Sequence, residues 1–272
     1  MKAEIRELLT DFKAAVRLGH PDSLAVALDG LRALPEVSGN DAFGEAFIDN
    51  VALPLGEILA HPQVEEGQLL ALLDDPLTGL RAVGAAALAV RWAAAKGDPA
   101  GGLRRAGGDS RAEVRLAVAM ALVQGSEAGP ERATRLVSSW LGEGSPRLRQ
   151  TALFVLAGLA DGPAVEQTWA QETLGSLERL SAEADPDVRA ALVAALVSLA
   201  EAGYPVPVLD LLERWSHLKS ENAWVIARTL SASWAAEHPE RVSAILAQLE
   251  ARSGPSRTVE SARRALERHR QG

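Results

Sequence analysis

The stretch DPDVRAALVAALVSL, residues 185–199, decides the fold, because it joins a helix start to a long apolar run rich in alanine. Asp185 can cap the first turn, and Pro186 suits the opening position of a helix. The apolar residues that follow recur at three- and four-residue steps, which gives a helix one apolar face. That face must be covered by another element, so the stretch predicts a buried helix in an all-α protein.

The same pattern occurs three more times, in DDPLTGLRAVGAAALAV from Asp74, DSRAEVRLAVAMALV from Asp109 and EGSPRLRQTALFVLAGL from Glu143. The shared arginines are separated by 34, 34 and 40 residues, and they are Arg81, Arg115, Arg149 and Arg189. Seven residues after each arginine stands a leucine, and these are Leu88, Leu122, Leu156 and Leu196. A register kept over four copies predicts four equivalent helices with buried leucines.

Second helices fill the spaces between these segments, for example those that begin near Pro130, Pro163 and Pro207. A single helix pair buries too little apolar surface, whereas stacked pairs bury a continuous core. We therefore predict an all-α, right-handed α-solenoid, an α-α superhelix of about six to seven helix pairs. It should form a single domain over residues 1–272, with regular repeats at 74–202 and atypical pairs at 1–73 and 203–272.

The repeated units, written (D)xxxVR…A…AL, resemble HEAT repeats over residues 74–202. This resemblance implies that each repeated arginine lies in a ladder between helices. There it would bind an acidic residue of its own or the adjacent repeat, and the exposed carbonyls at helix ends. The alternative is that some of these arginines line the concave face and contact phosphates or acidic side chains of a partner.

Most catalytic and metal chemistry is disfavoured by the residue content. The chain has no cysteine, which removes disulfides, zinc–thiolate sites and a thiol nucleophile. Its five histidines are far apart, and no phosphate-binding loop or nucleophile-elbow motif occurs. The glycines of KGDPAGGLRRAGGD, residues 96–109, are interpreted as loose turns. We expect no catalytic residue, no cofactor and no metal.

The location of the protein is also predicted from the sequence. The first twenty residues are charged throughout, and no later stretch is long and apolar enough to span a membrane. We therefore expect a cytoplasmic protein without a membrane partner.

Six tryptophans stand out in a chain that has only one tyrosine and four phenylalanines. One interpretation places Trp140, Trp169, Trp215 and Trp234 on apolar helix rows, where large rings fill the gaps that alanine leaves. The other predicts an aromatic and cationic strip on the concave face that could stack bases or anchor a peptide. The candidate binding residues of this strip are Trp140, Arg149, Trp169, Arg189, Trp224 and Arg228.

The C-terminal part resembles a second family, the DNA alkylation repair glycosylases, which are built from HEAT-like repeats. His238-Pro239-Glu240 and the segment from Ser256 through Leu266 carry this resemblance. It implies binding of damaged duplex DNA, and active members hold an Asp four residues after a Trp. Here those positions hold Lys96, Gly144, Thr173, Lys219, Arg228 and His238, so the acidic group is missing. A bilin lyase of similar repeats would need a tetrapyrrole cavity, which nothing in the sequence requires.

Charge is unevenly distributed along the chain. Residues 1–70 hold five basic and twelve acidic side chains, whereas residues 81–115 and 241–272 each hold seven basic and three acidic ones. The sequence is thus interpreted as a non-catalytic scaffold that binds a protein or peptide on its concave face. The alternative is a protein similar to the alkylation repair family that binds DNA through a basic groove containing tryptophan.

Overall fold

The computed structural model describes residues 3–19, 21–34, 37, 45–95, 99–126, 130–162, 167–218, 222–254 and 256–271. Every regular element within these residues is helical. The chain divides into two compact units, residues 1–133 and 134–272. The prediction of an all-α fold is confirmed. Handedness, the number of pairs and the single-domain boundaries stay predictions.

The helices of the first unit begin with α1 (Ala3–Leu18) and α2 (Pro21–Ala33). A helical stretch follows as α3 (Glu45–Phe47), a π-helical turn (Ile48–Ala52) and α4 (Leu53–Leu59). The remaining helices that begin in this unit are α5 (Glu66–Leu73), α6 (Thr78–Ala93), α7 (Ala100–Gly107), α8 (Ala112–Gln124) and α9 (Glu131–Leu141). Here α6 lies at the centre, where α4, α5, α7 and α8 all pack on it.

The second unit continues with α10 (Pro146–Ala160), α11 (Gln167–Leu177) and α12 (Pro186–Glu201), and a 3-10 turn (Glu178–Leu180) follows α11. After these come α13 (Pro205–Ser216), α14 (Ala223–Thr229), a 3-10 turn (Ser233–Glu237), α15 (Pro239–Ser253) and α16 (Arg257–Gln271). One layer stacks α10, α12, α14 and α16 in order, and the other stacks α11, α13 and α15. This alternation of layers is the arrangement of an α-solenoid.

The repeat leucines lie in the core of their units. Leu88 and Leu122 are 0% exposed in the first unit, and Leu156 and Leu196 are 0% exposed in the second. Each contributes about 2 kcal/mol through the removal of its apolar surface from water. The predicted equivalence of the four helices is confirmed at the positions that define the repeat.

Side chains cap the starts of α10 and α12, and the cap by Asp185 is the one that the sequence predicts. The Ser145 hydroxyl accepts the amide of Leu148, and the Asp185 carboxylate accepts the amides of Asp187 and Val188. At α8, however, Ser110 does not cap the helix. The carboxylate of the preceding Asp109 accepts the amide of Arg111 instead, at 2.7 Å.

The glycine-rich segment after residue 95 departs from the sequence prediction. Residues 100–107 form α7 rather than loose turns. Leu103 and Ala106 are buried, so the segment contributes a short apolar face. Gly102 lies where α7 meets Leu70 and Leu88, and a Cβ there would approach the side chain of Leu70 to 2.7 Å. Tertiary packing therefore overrides the low helix propensity of glycine.

Buried Arg91 joins α6 to the end of α4. Its guanidinium donates to the carbonyl oxygens of Ala60, His61 and Val64, which lie at and beyond the end of α4. Burial lowers the pKa of Arg91. The side chain satisfies helix-end carbonyls that would otherwise lack donors, which is a structural role.

Candidate functional site

Two of the repeated arginines, Arg81 and Arg149, pair with an acidic residue of the next repeat, as the HEAT resemblance implies. In the first unit, Arg81 lies 3.8 Å from the carboxylate of Asp109 at the next repeat. In the second, Arg149 binds Glu183 through Nε and Nη2 at 2.8 and 3.2 Å, and its Nη1 donates to the carbonyl of Glu143. Arg149 is thus held between two repeats, rather than being available as a binding residue for a partner.

Arg115 also has a structural role. Its Nη1 donates to the carbonyl oxygens of Asp109 and Ser110, at 2.8 and 3.3 Å. Both carbonyls directly precede α8, so the side chain folds back on the start of its own helix. Arg115 therefore binds carbonyl groups of the loop between α7 and α8.

Arg189 departs from the ladder. No carboxylate pairs with it among the described residues, and its guanidinium carbon lies 5.2 Å from the centroid of the Trp224 ring. A guanidinium within about 6 Å of an indole face is attracted by the ring quadrupole. The arginine of α12 therefore holds the tryptophan of α14 in a defined position.

Trp224 differs from the other five tryptophans in its exposure. It is 37% exposed, whereas Trp92, Trp140, Trp169, Trp215 and Trp234 are between 1% and 7% exposed. The Nε1–H of Trp169 donates to the hydroxyl of Thr134 at 2.6 Å, within the core of the second unit. The predicted strip is therefore wrong for Trp140 and Trp169, since both rings fill core space between alanine-rich helices.

A hollow of about 460 Å³ adjoins Trp224. Its lining residues come from α14, the residues that follow it, and the start of α16, and they are Trp224, Arg228, Ser231, Arg257, Thr258 and Ser261. Trp224, Arg228 and Ser231 are spaced by four and three residues, so they share one side of the chain at α14. Together with Arg189, these residues are called the Trp224 face.

The Trp224 face is basic. Its three arginines make no ion pair within the described part of the chain, and none of its seven residues is acidic. Arg228 and Arg257 are both exposed. Arg257, Thr258 and Ser261 lie in the first turns of α16, where the positive end of the helix adds to the field of the guanidinium groups.

Acidic groups also lie on α16, the first of them Glu260 in its first turn. A neighbouring hollow of about 810 Å³ is lined by Arg257, Glu260, Ser261, Arg264, Glu267 and Arg268. Arg264 is paired there with Glu260. Two arginines and two glutamates of this second hollow thus balance each other, whereas the lining of the hollow beside Trp224 contains no acidic residue.

The described residues offer no cluster of three or more His, Asp or Glu side chains that could hold a metal ion. A separate search of those same residues finds no helix of the length and apolarity that a membrane crossing requires.

The structure thus unites three of the six predicted site residues, Arg189, Trp224 and Arg228. Arg149 belongs to the ladder, and Trp140 and Trp169 belong to the core. Sequence analysis missed Ser231 and the three residues of α16, namely Arg257, Thr258 and Ser261. A signal existed in the spacing of Arg257, Ser261, Arg264 and Arg268, which places one polar stripe on a single helix face.

Fold and site together define an all-α protein of the α-solenoid class. No family model and no curated protein matches the chain. Among solved structures it is similar to an engineered protein at 19% identity and a TM-score of 0.38, covering 76% of this chain and 99% of that one. It is also similar to a designed armadillo repeat protein in complex with a (KR)4 peptide, at 17% identity and a TM-score of 0.37, covering 96% and 99%.

Proposed function

We propose that this chain is a non-catalytic helical-repeat scaffold that binds a peptide segment of a protein partner on the Trp224 face. The observation that carries the proposal is the exposure of Trp224, at 37%, in a chain that buries its other five tryptophans. Tryptophan is the residue most enriched among interface hot spots, together with tyrosine and arginine. The Trp224 face combines one tryptophan with three arginines.

The proposal is supported by the rigidity of the Trp224 face. Trp224 and Arg228 lie on α14, Arg257 lies on α16, and these two helices pack on each other. Arg189 stacks on the Trp224 ring, so less side-chain freedom is lost when a partner covers that ring. A binding surface that is ordered in advance loses less affinity to conformational entropy.

The charges of the Trp224 face suit a peptide better than a DNA duplex. Duplex DNA carries one negative charge for about every 1.7 Å of its axis and needs a long basic track. Here the unpaired guanidinium groups surround a single hollow of about 460 Å³, and Glu260 and Glu267 line the adjacent one. Arg264 and Arg268 line that hollow as well, so its charges nearly cancel, and a phosphate backbone that continued along α16 would gain little attraction there.

A peptide library displayed on phage, with twelve random residues, tests the proposal on the full chain. We expect enriched peptides whose affinity falls at least tenfold in Trp224→Ala, because that ring is the central apolar contact. The control is Val206→Ala on α13, which removes another exposed apolar side chain, 48% exposed, that does not line the hollow. Val206→Ala should bind the enriched peptides with the same affinity as the unchanged chain.

Two results would contradict the proposal. The first is an absence of enriched peptides, or peptides that bind Trp224→Ala as tightly as the unchanged chain. The second is salt-sensitive binding of duplex DNA with an abasic-site analogue, at two salt concentrations, that is lost in Arg228→Ala. That second result would establish the DNA-binding alternative in place of peptide binding.

A further inference from the structure

The hollow beside Trp224 contains two exposed cations that have no internal partner. Arg228 and Arg257 both line it, and neither forms an ion pair within the described residues. Most other arginines that touch neighbouring helices do have a partner, such as Arg214 with Glu178 and Arg241 with Asp210. Glu260 and Glu267 line the adjoining hollow, but among the described residues neither carboxylate pairs with Arg228 or Arg257, so these two guanidinium groups can donate to an external anion.

Hydroxyl groups complete the polar lining. Ser231, Thr258 and Ser261 lie around the same hollow as the two arginines. A carboxylate has two oxygens and several lone pairs, so it can accept from guanidinium and hydroxyl donors together. Hydrogen bonds between guanidinium and carboxylate are charge-assisted and are about twice as strong as neutral ones.

From this arrangement we infer that the Trp224 face binds an acidic peptide, and that Arg228 and Arg257 hold an Asp or Glu side chain of it next to Trp224. The inference rests on the proposed function and adds the chemistry of the partner. An apolar residue of the peptide covers the Trp224 ring, while its neighbouring carboxylate enters the hollow. The hydroxyls of Ser231, Thr258 and Ser261 surround that carboxylate.

A single carboxylate fits the local charge better than a phosphate group. A phosphorylated side chain carries a charge of about −1.5 to −2 at neutral pH. Glu260 and Glu267 lie along the adjacent hollow, and Glu260 already neutralises Arg264. These carboxylates would repel a phosphate group about twice as strongly as a carboxylate, and the phosphate would also lose more hydration on entering the hollow.

Fluorescein-labelled peptide libraries of ten residues, each with one position fixed, test this inference by fluorescence polarisation. The fixed residue is Glu, Gln or phosphoserine, and the other positions are random. We expect the best Glu library to bind about tenfold more tightly than its Gln counterpart, which corresponds to one charge-assisted contact. The preference should shrink to less than twofold in Arg228→Gln and in Arg257→Gln.

The matched control is Arg263→Gln, which removes an arginine of α16 that is paired with Glu250 and does not line the hollow. It should keep the tenfold preference for Glu. Far-UV circular dichroism of all variants shows whether the helices remain folded. An arginine variant that unfolds is replaced by Ser261→Ala, for which a smaller loss of the same preference is expected.

The outcomes separate this inference from the proposed function. Peptide binding that depends on Trp224 but shows no preference for Glu over Gln would overturn the inference alone. A stronger preference for phosphoserine would overturn it as well, because the site would then be one for phosphate. Loss of all peptide binding by the unchanged chain would overturn both proposals.

Discussion

Three of the four repeat arginines contact a side chain of the next repeat. Asp109 is beside Arg81, Glu183 is beside Arg149, and Trp224 is beside Arg189. At the first two sites the contact is an ion pair between helices. At the third, the aromatic ring replaces the carboxylate, and the same backbone position becomes part of a surface. A single residue type at one repeat position thus contacts either a carboxylate or an aromatic ring.

Arg149 gives a prediction at this scale. Arg149→Ala should lower the free energy of unfolding by about 3 kcal/mol, because Glu183 would keep a carboxylate that is only 6% exposed without its guanidinium partner. Urea denaturation measures the loss. The control is Arg147→Ala, two residues earlier and exposed, which should change the free energy by less than about 0.5 kcal/mol.

A double variant distinguishes the cost of a buried, unpaired charge from the loss of the contact between Arg149 and Glu183. In the double variant Arg149→Met, Glu183→Gln, no charge is left buried, and most of the stability should return. If Arg149→Ala were as mild as Arg147→Ala, the pair would add nothing to stability, and Arg149 would again be a candidate for partner binding.

The burial of residues that recur in every repeat could be predicted from the sequence. The exposure of a residue that depends on how one helix packs against its neighbours could not. The leucines at 88, 122, 156 and 196 were predictable because a buried position imposes the same side chain in every copy. The exposure of Trp224 depends on which side of the short helix α14 meets α12 and α16, which periodicity over seven residues does not determine. Whether residues of α16 line the hollow beside Trp224 depends on the same packing.

At the scale of helices, one proline lies beside a π-helical turn and one glycine lies where two helices pack closely. Pro54 stands within a helical stretch, where it has no amide hydrogen to donate. The preceding residues, Ile48–Ala52, widen into a π-helical turn in which the amide of Leu53 donates to the carbonyl of Ile48. The π-helical turn lets the helical stretch continue past the proline.

Gly84 gives a prediction at the scale of helix packing. It lies in the middle of α6, and a Cβ at this position would be 2.7 Å from the Cβ of Leu72 and 3.1 Å from the carbonyl oxygen of Leu69 on α5. Gly84→Ala should therefore lower the free energy of unfolding by about 2 kcal/mol, because the cost of overpacking exceeds the gain in helix propensity. Thermal denaturation followed by circular dichroism measures it.

The control for Gly84 is Gly175, which lies within α11 and has open space around its missing Cβ. Gly175→Ala should raise the free energy of unfolding by about 0.5 kcal/mol, because only helix propensity changes. Should both substitutions stabilise the chain, α5 and α6 would not pack as closely as the structure shows.

On the scale of the whole chain, the repeats and the compact units divide the sequence differently. The step from Arg115 to Arg149 is 34 residues, the same as the step before it, although the two compact units meet at residue 133. Repeats of a solenoid gain stability from the interfaces with their neighbours, so a constant step across this boundary favours unfolding of the whole chain in one transition. The single domain predicted from the sequence therefore has a thermodynamic test.

Five of the six tryptophans lie in the second unit, so intrinsic fluorescence reports mainly on residues 134–272, whereas circular dichroism reports on helices of both units. We expect urea unfolding curves from the two methods to coincide. Gly84→Ala, in the first unit, should then move both midpoints to lower urea by the same amount. If only the circular dichroism curve moved while the fluorescence midpoint stayed in place, the two units would unfold independently, and the single-domain prediction would be wrong.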